Sequence, residues 1–197
     1  EGSYISKQKK LTEAINRYTP TLIEKTDKFV NVRPFPLAIW LMGKWFERMN
    51  NDLVDILLRD FEQLKAQNES AYKLLSGSLS RRIDYMRHNP LAHRIITSFN
   101  SGPQAPFANE KVVRSELGSQ LFLAMSVVNP VAVSECLNRV LQSKSIEWIK
   151  ENITGDIRRN LVLTLEKLCF CRDSYDISSI LFAKFALAEN ETWGNNA

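Results

Sequence analysis

Glycine and proline are scarce, at seven each in 197 residues. That is low for a turn-rich all-β chain and points to helices joined by short connectors. Long apolar runs are missing too. No stretch approaches the roughly 20 residues that span a bilayer, and the basic start Lys7-Gln8-Lys9-Lys10 leads into no signal-peptide core. The expected localisation is cytoplasmic, with no membrane contact. Cysteine is limited to Cys136, Cys169 and Cys171, an odd set. Cys169 and Cys171, two apart in a helical pattern, point in different directions, so buried reduced thiols are expected. No Gly-rich stretch ends in Gly-Lys-Ser or Gly-Lys-Thr, and Gly43-Lys44 lies in an apolar helical pattern. This segment therefore cannot cradle nucleotide phosphates in the P-loop manner. The chain opens on Glu1-Gly2-Ser3 and stops in a polar run at Asn195-Asn196-Ala197, which reads as a piece of a longer protein.

What is present suits a folded module. Hydrophobic residues at 44% and charged residues at 24% match ordinary globular proteins and argue against disorder. A chain of this size should bury roughly 70% of its unfolded surface and needs no covalent staples. The net charge of +4, with both signs interspersed, is too mild to imply nucleic-acid binding by itself.

Leu11, Ala14, Ile15 and Tyr18 recur at helical spacing before Thr19-Pro20 breaks the pattern. Thr21 to Glu24 and Phe29 to Val32, around a polar turn, predict a β-hairpin. Pro36 fits the first turn of a helix over Leu37 to Met49, where a missing N–H costs nothing. Helix, hairpin, helix outlines a small winged-helix-like subdomain over residues 1–50. Trp40 and Trp45 fall on the apolar face of its last helix and are candidates for interdomain packing. Helical stripes follow at Leu53, Ile56, Leu57 and Phe61, then at Tyr72, Leu75, Leu79, Ile83 and Met86, in a helical linker region over 51–99. Asn100 to Pro106 is the clearest linker. Beyond it, Val113, Leu117, Leu121, Ala124 and Val128 form one stripe, and Asn129-Pro130 caps a helix to Leu141. Ser145 to Ile149 predicts a brief turn. Thr154 or Asp156 can cap a helix carrying Ile157, Leu161, Leu165 and Leu168. Asp173 or Ser174 can cap a last helix carrying Ile177, Leu181, Ala183, Ala186 and Leu187. The expected architecture is all-α, with α-solenoid-like repeats of the HEAT or armadillo type over 100–197.

Catalytic patterns are thin. His88 and His93 could join Asp84 at a metal only if the chain bent sharply at Asn89-Pro90, and a solvated or capping role is preferred. No cysteine has an evident base, so no thiol nucleophile is expected. Arg81, Arg82, Arg87 and Arg94, with Arg158 and Arg159 if the fold gathers them, are candidate contacts for an anion or nucleic acid. The plainer reading, an exposed helix face, is favoured. The terminal polar cluster Glu189, Asn190, Glu191, Asn195 and Asn196 around Trp193 reads as a helix end and joint rather than a hydrolytic pair.

Phe29-Val30-Asn31-Val32-Arg33-Pro34-Phe35-Pro36-Leu37-Ala38 resembles the segment after the nucleotide-binding domain of bacterial STAND-type P-loop NTPases. Asn100 to Pro103, Gly118 to Phe122, Val128 to Pro130 and Arg158 through Asn196 are similar to the helical region that follows in such proteins, some linked to antiphage defence. The run from Ala186 to Ala197 is the most specific match. The resemblance implies a parent with an upstream ATP-binding switch domain, a helical arm here and further solenoid downstream. With no Walker residues in the chain, no catalytic residue carries over and no cofactor is expected in this segment.

The expectation is a non-catalytic helical scaffold and sensor that relays ligand binding to the ATPase domain. Its partners would be the rest of the parent and a protein or nucleic-acid ligand, with oligomers allowed. A nucleic-acid-binding module using arginine-rich helix faces is the alternative.

Overall fold

The computed structural model describes residues 2–19, 21–25, 30–32, 35–46, 48, 50–102 and 105–188. The described chain is all-α apart from one two-stranded hairpin, and it divides into two compact units, Glu1–Phe46 and Glu47–Ala197.

The first unit is helix, hairpin, helix: α1 over Gly2–Tyr18, β1 over Ile23–Lys25, β2 over Val30–Val32 and α2 over Phe35–Phe46. The strands are antiparallel, with Ile23 opposite Val32 and Lys25 opposite Val30. Strand β1 starts two residues and ends one residue later than the sequence suggests, and the turn itself is outside the described residues. The Thr19 hydroxyl donates to the Ile15 carbonyl at 2.7 Å, as a second donor beside the Thr19 N–H at 3.0 Å. Pro36 does sit in the first turn of α2, and that helix packs on β2.

The second unit begins with α3 (Asn51–Gln67) and α4 (Glu69–Tyr85), continues through α5 (Pro90–Asn100), the single turn α6 (Glu110–Val113), α7 (Glu116–Met125) and α8 (Pro130–Leu141), and ends with α9 (Ile146–Asn152), α10 (Gly155–Cys169) and α11 (Tyr175–Leu187). Most of its joints are short, and asparagine or serine restarts the helix after many of them. Asn68 alone separates α3 from α4, and its Oδ1 accepts the Ala71 N–H at 3.0 Å. Asn50, Asn109 and Asn129 cap α3, α6 and α8 in the same way, while the hydroxyls of Ser115 and Ser145 cap α7 and α9. Each such cap is worth about 1 kcal/mol. At α10 the expectation differs. Thr154 is the N-cap residue but makes no capping bond. Ser174 precedes α11 without capping it, because its hydroxyl donates to the Leu168 carbonyl at 2.8 Å and ties α11 to the end of α10.

The core centres on α7, α8 and α10. Phe122, Val133, Leu137, Leu141, Leu161, Leu165 and Leu168 are fully buried. Helix α7 packs on α10 and on α4, α5 on α8, and α11 on both α8 and α10. The seam between α7 and α10 includes a polar contact, Asn160 Nδ2 donating to the Ser119 hydroxyl at 3.1 Å, while the buried Thr164 hydroxyl is satisfied within α10 by donating to the Asn160 carbonyl at 2.7 Å. Gly118 is required at the α6–α7 junction, because a Cβ there would run into the Val112 carbonyl.

Asn100 to Pro106, linker-like in sequence, is flanked by residues of this one unit. Asn100, Ala105 and Phe107 are buried, Phe107 stacks on Phe99 at 5.6 Å, and Arg139 of α8 donates to the carbonyls of Asn100 and Gly102. Gly102 takes φ of +94°, open to glycine and strained for other residues.

Candidate functional site

The candidate arginines are spread over α4, α5, the segment between them, and α10. Arg81 and Arg82 lie on α4, Arg87 just past its end and Arg94 on α5. Arg87 is held by Asp84 at 3.0 Å. Arg158 serves the fold: its guanidinium donates to the Phe185 carbonyl at 2.7 Å and lies 5.9 Å from the Phe185 ring centre, fastening α10 to α11. Arg159 is exposed on α10.

His88 and His93 are both exposed, and no group of three metal-ligating side chains occurs among the described residues. Burial pushes the Cys136 thiol up to about 12, with Arg139 opposing weakly. A thiol with that pKa holds its proton at neutral pH and is a poor nucleophile. Burial also raises Cys169. The terminal cluster Glu189, Asn190, Glu191, Trp193, Asn195 and Asn196 lies outside the described residues, as does the side chain of Trp45. Trp40 stands 53% exposed on α2.

What the fold does assemble is a groove of about 390 Å³ between α4, α7 and α10. It starts from a local irregularity in α4. Apolar spacing predicts Tyr72, Leu75, Leu79, Ile83 and Met86 inward, yet Leu75 is 43% exposed and Ser76 is only 1% exposed. The helix is turned so that Ser76, Gly77 and Ser80 face the groove, beside Arg81 and Asp84. The Ser80 hydroxyl donates to the Ser76 carbonyl at 3.0 Å, which leaves its lone pairs free to accept. Gly77 has nothing within 4 Å of where a Cβ would stand, so at this position the missing side chain leaves open space.

Helix α7 supplies the opposite wall through Leu123, Ala124 and, just past its end, Val127. Gln120 also lines it, and its Oε1 is buried without a hydrogen-bond partner. A buried unpaired acceptor costs about 1–3 kcal/mol. Three cations rim the groove. Lys73 is engaged by Glu69 at 2.7 Å, whereas Arg81 and Lys167 of α10 have no partner among the described residues. Arg81 is the one arginine singled out from sequence that reaches this place. Ser76, Gly77, Gln120 and Lys167 escaped sequence reading, and the only local signal was the small-residue interruption Ser76-Gly77-Ser78 inside an amphipathic helix.

A second surface is apolar. One side of α11 buries Leu181 and Phe185, but Ile180 and Leu187 are 69% and 70% exposed on the same helix. Phe170, at the end of α10, is 86% exposed. Ala183 and Ala186, expected inside, are exposed because Ser178 and Phe185 take the inward positions. No described helix is long and apolar enough to cross a membrane. Comparison with known proteins finds no family model, curated protein or solved structure that matches the chain.

Proposed function

We propose that this chain is a non-catalytic helical scaffold and sensor module of a larger cytoplasmic signalling NTPase, passing ligand binding to an ATPase switch domain by changes in packing. The observation that carries the reading is α11, a helix with apolar side chains on two sides of which only one is covered. A helix apolar all round is normally a buried one. In a stack of the α-solenoid type the next helical layer would cover Ile180 and Leu187. The resemblance of residues 29–38 and 186–197 to STAND NTPases supplies the kind of parent, with a winged-helix-like first unit and an association with antiviral defence. A switch works only if its ligand binds the two packings unequally.

The rival reading, a nucleic-acid-binding module, is weaker because Arg87 and Arg158 are already engaged within the protein. It requires binding that falls steeply with salt.

The test is ATP turnover by the full-length gene product, unaltered and with Ile180→Glu/Leu187→Glu. The reading expects a Walker motif upstream, measurable turnover and a rate changed roughly fivefold or more by the charged pair. A gene product without that motif, or a rate indifferent to the pair, overturns it.

A further inference from the structure

The groove between α4, α7 and α10 combines three features that one class of ligand answers. Its wall at Leu123, Ala124 and Val127 is apolar, two of its cations, Arg81 and Lys167, have no partner among the described residues, and the Gln120 Oε1 is buried and unsatisfied. Its volume of about 390 Å³ lies within the range of small-molecule sites, roughly 300–1,000 Å³. We propose that the groove binds a small amphipathic organic anion that also carries a hydrogen-bond donor.

The apolar body lies along Leu123, Ala124 and Val127. Its anionic group is met by Arg81 and Lys167, and its N–H or O–H draws Gln120 Oε1 out of its sealed position to accept. The Asp84 carboxylate also lines the groove, but Arg87 holds it, which reduces its repulsion of an anion. Gly77 keeps the site open: any side chain there would project into space that no other atom occupies. The Ser80 hydroxyl already donates to the Ser76 carbonyl, so what it offers a ligand is acceptor capacity for a second donor, while Ser76 is itself buried. A neutral apolar compound would leave both cations unused, and a simple inorganic anion would leave the apolar wall wet.

This deepens the sensor reading by giving it a ligand class. Binding to the chain itself can be measured without any parent protein, so the site and the switch fail separately. The probe is 8-anilinonaphthalene-1-sulfonate, which has an apolar ring system, one sulfonate and one N–H. Its neutral counterpart N-phenyl-1-naphthylamine lacks only the sulfonate. Fluorescence titration of the full chain should show saturable binding of the anion at one site and binding of the neutral compound at least about tenfold weaker. Arg81→Gln/Lys167→Gln should raise Kd about tenfold, equivalent to roughly 1.4 kcal/mol. Both positions are exposed, so the fold should tolerate the change. Gln120→Leu should weaken binding while leaving or raising the melting temperature, because it removes the orphaned acceptor. Ile180→Glu/Leu187→Glu should leave Kd unchanged. Equal affinity for the two probes, binding lost in the α11 variant but kept in Arg81→Gln/Lys167→Gln, or no saturable binding would each overturn the proposal.

Discussion

Helix α7 is shared by two contacts of opposite character. Toward α10 it forms a closed seam, with Asn160 bonded to Ser119 and with Leu161, Leu165 and Thr164 sealed from solvent. Toward α4 it helps wall an open groove. The same opposition separates two helix glycines, Gly118 at the closed α6–α7 junction and Gly77 beside the groove. At Gly118 the space of a side chain is taken by the Val112 backbone, whereas at Gly77 it is taken by nothing. A small residue permits close approach but does not compel it. Whether the space closes depends on what the neighbouring backbone brings to it.

That contrast can be broken most severely from the closed side. Leu165→Ala, at a fully buried position of α10, should cost about 2–5 kcal/mol, read as a fall in the denaturant midpoint. Gly118→Ala should follow at about 3 kcal/mol, since backbone cannot yield as a flexible side chain would. The open side should respond with the opposite sign. Gly77→Ala should stabilise by about 0.5–1 kcal/mol, because alanine is the better helix former and meets no obstruction. A destabilising Gly77→Ala would mean that the groove closes in solution.

The smallest effect is a pH dependence away from both surfaces. The Lys144 ammonium, hydrogen-bonded to Glu110, holds that carboxyl below the usual carboxylate range, and Arg114 assists. A depressed carboxylate contributes stability above its unfolded pKa and loses it as pH falls through the folded one. The midpoint difference between the native chain and Lys144→Met should therefore be present at neutral pH and shrink as pH falls below about 4. Both partners are partly exposed, so the effect should be small and salt-sensitive.

Much of the second unit was legible because its helix starts are local chemistry. Asn89-Pro90 and Asn129-Pro130 mark the starts of α5 and α8, and the stripe from Val113 to Val128 is buried at every position named. Period alone misjudged α4 and α11. Helical spacing fixes which residues share a face but not which of two apolar faces is covered. Ser76 and Ser178 lie inward because neighbouring helices approach there, and that is a tertiary fact. Residues 145–149, read as a turn, begin the two-turn helix α9, whose cap Ser145 is visible in sequence but whose core residue Ile149 gains its place from the surrounding fold. The groove was invisible for the same reason. Arg81, Gln120 and Lys167 stand some forty residues apart in succession, and no periodicity joins them.

Hydrogen exchange on α11 tests the packing account most directly, comparing the isolated chain with the same segment inside its full-length gene product. If Ile180 and Leu187 are covered by a further layer, α11 amides should gain roughly tenfold or more protection in the full-length protein, while α7, already enclosed, stays as it was. Equal exchange of α11 in both settings would contradict the account.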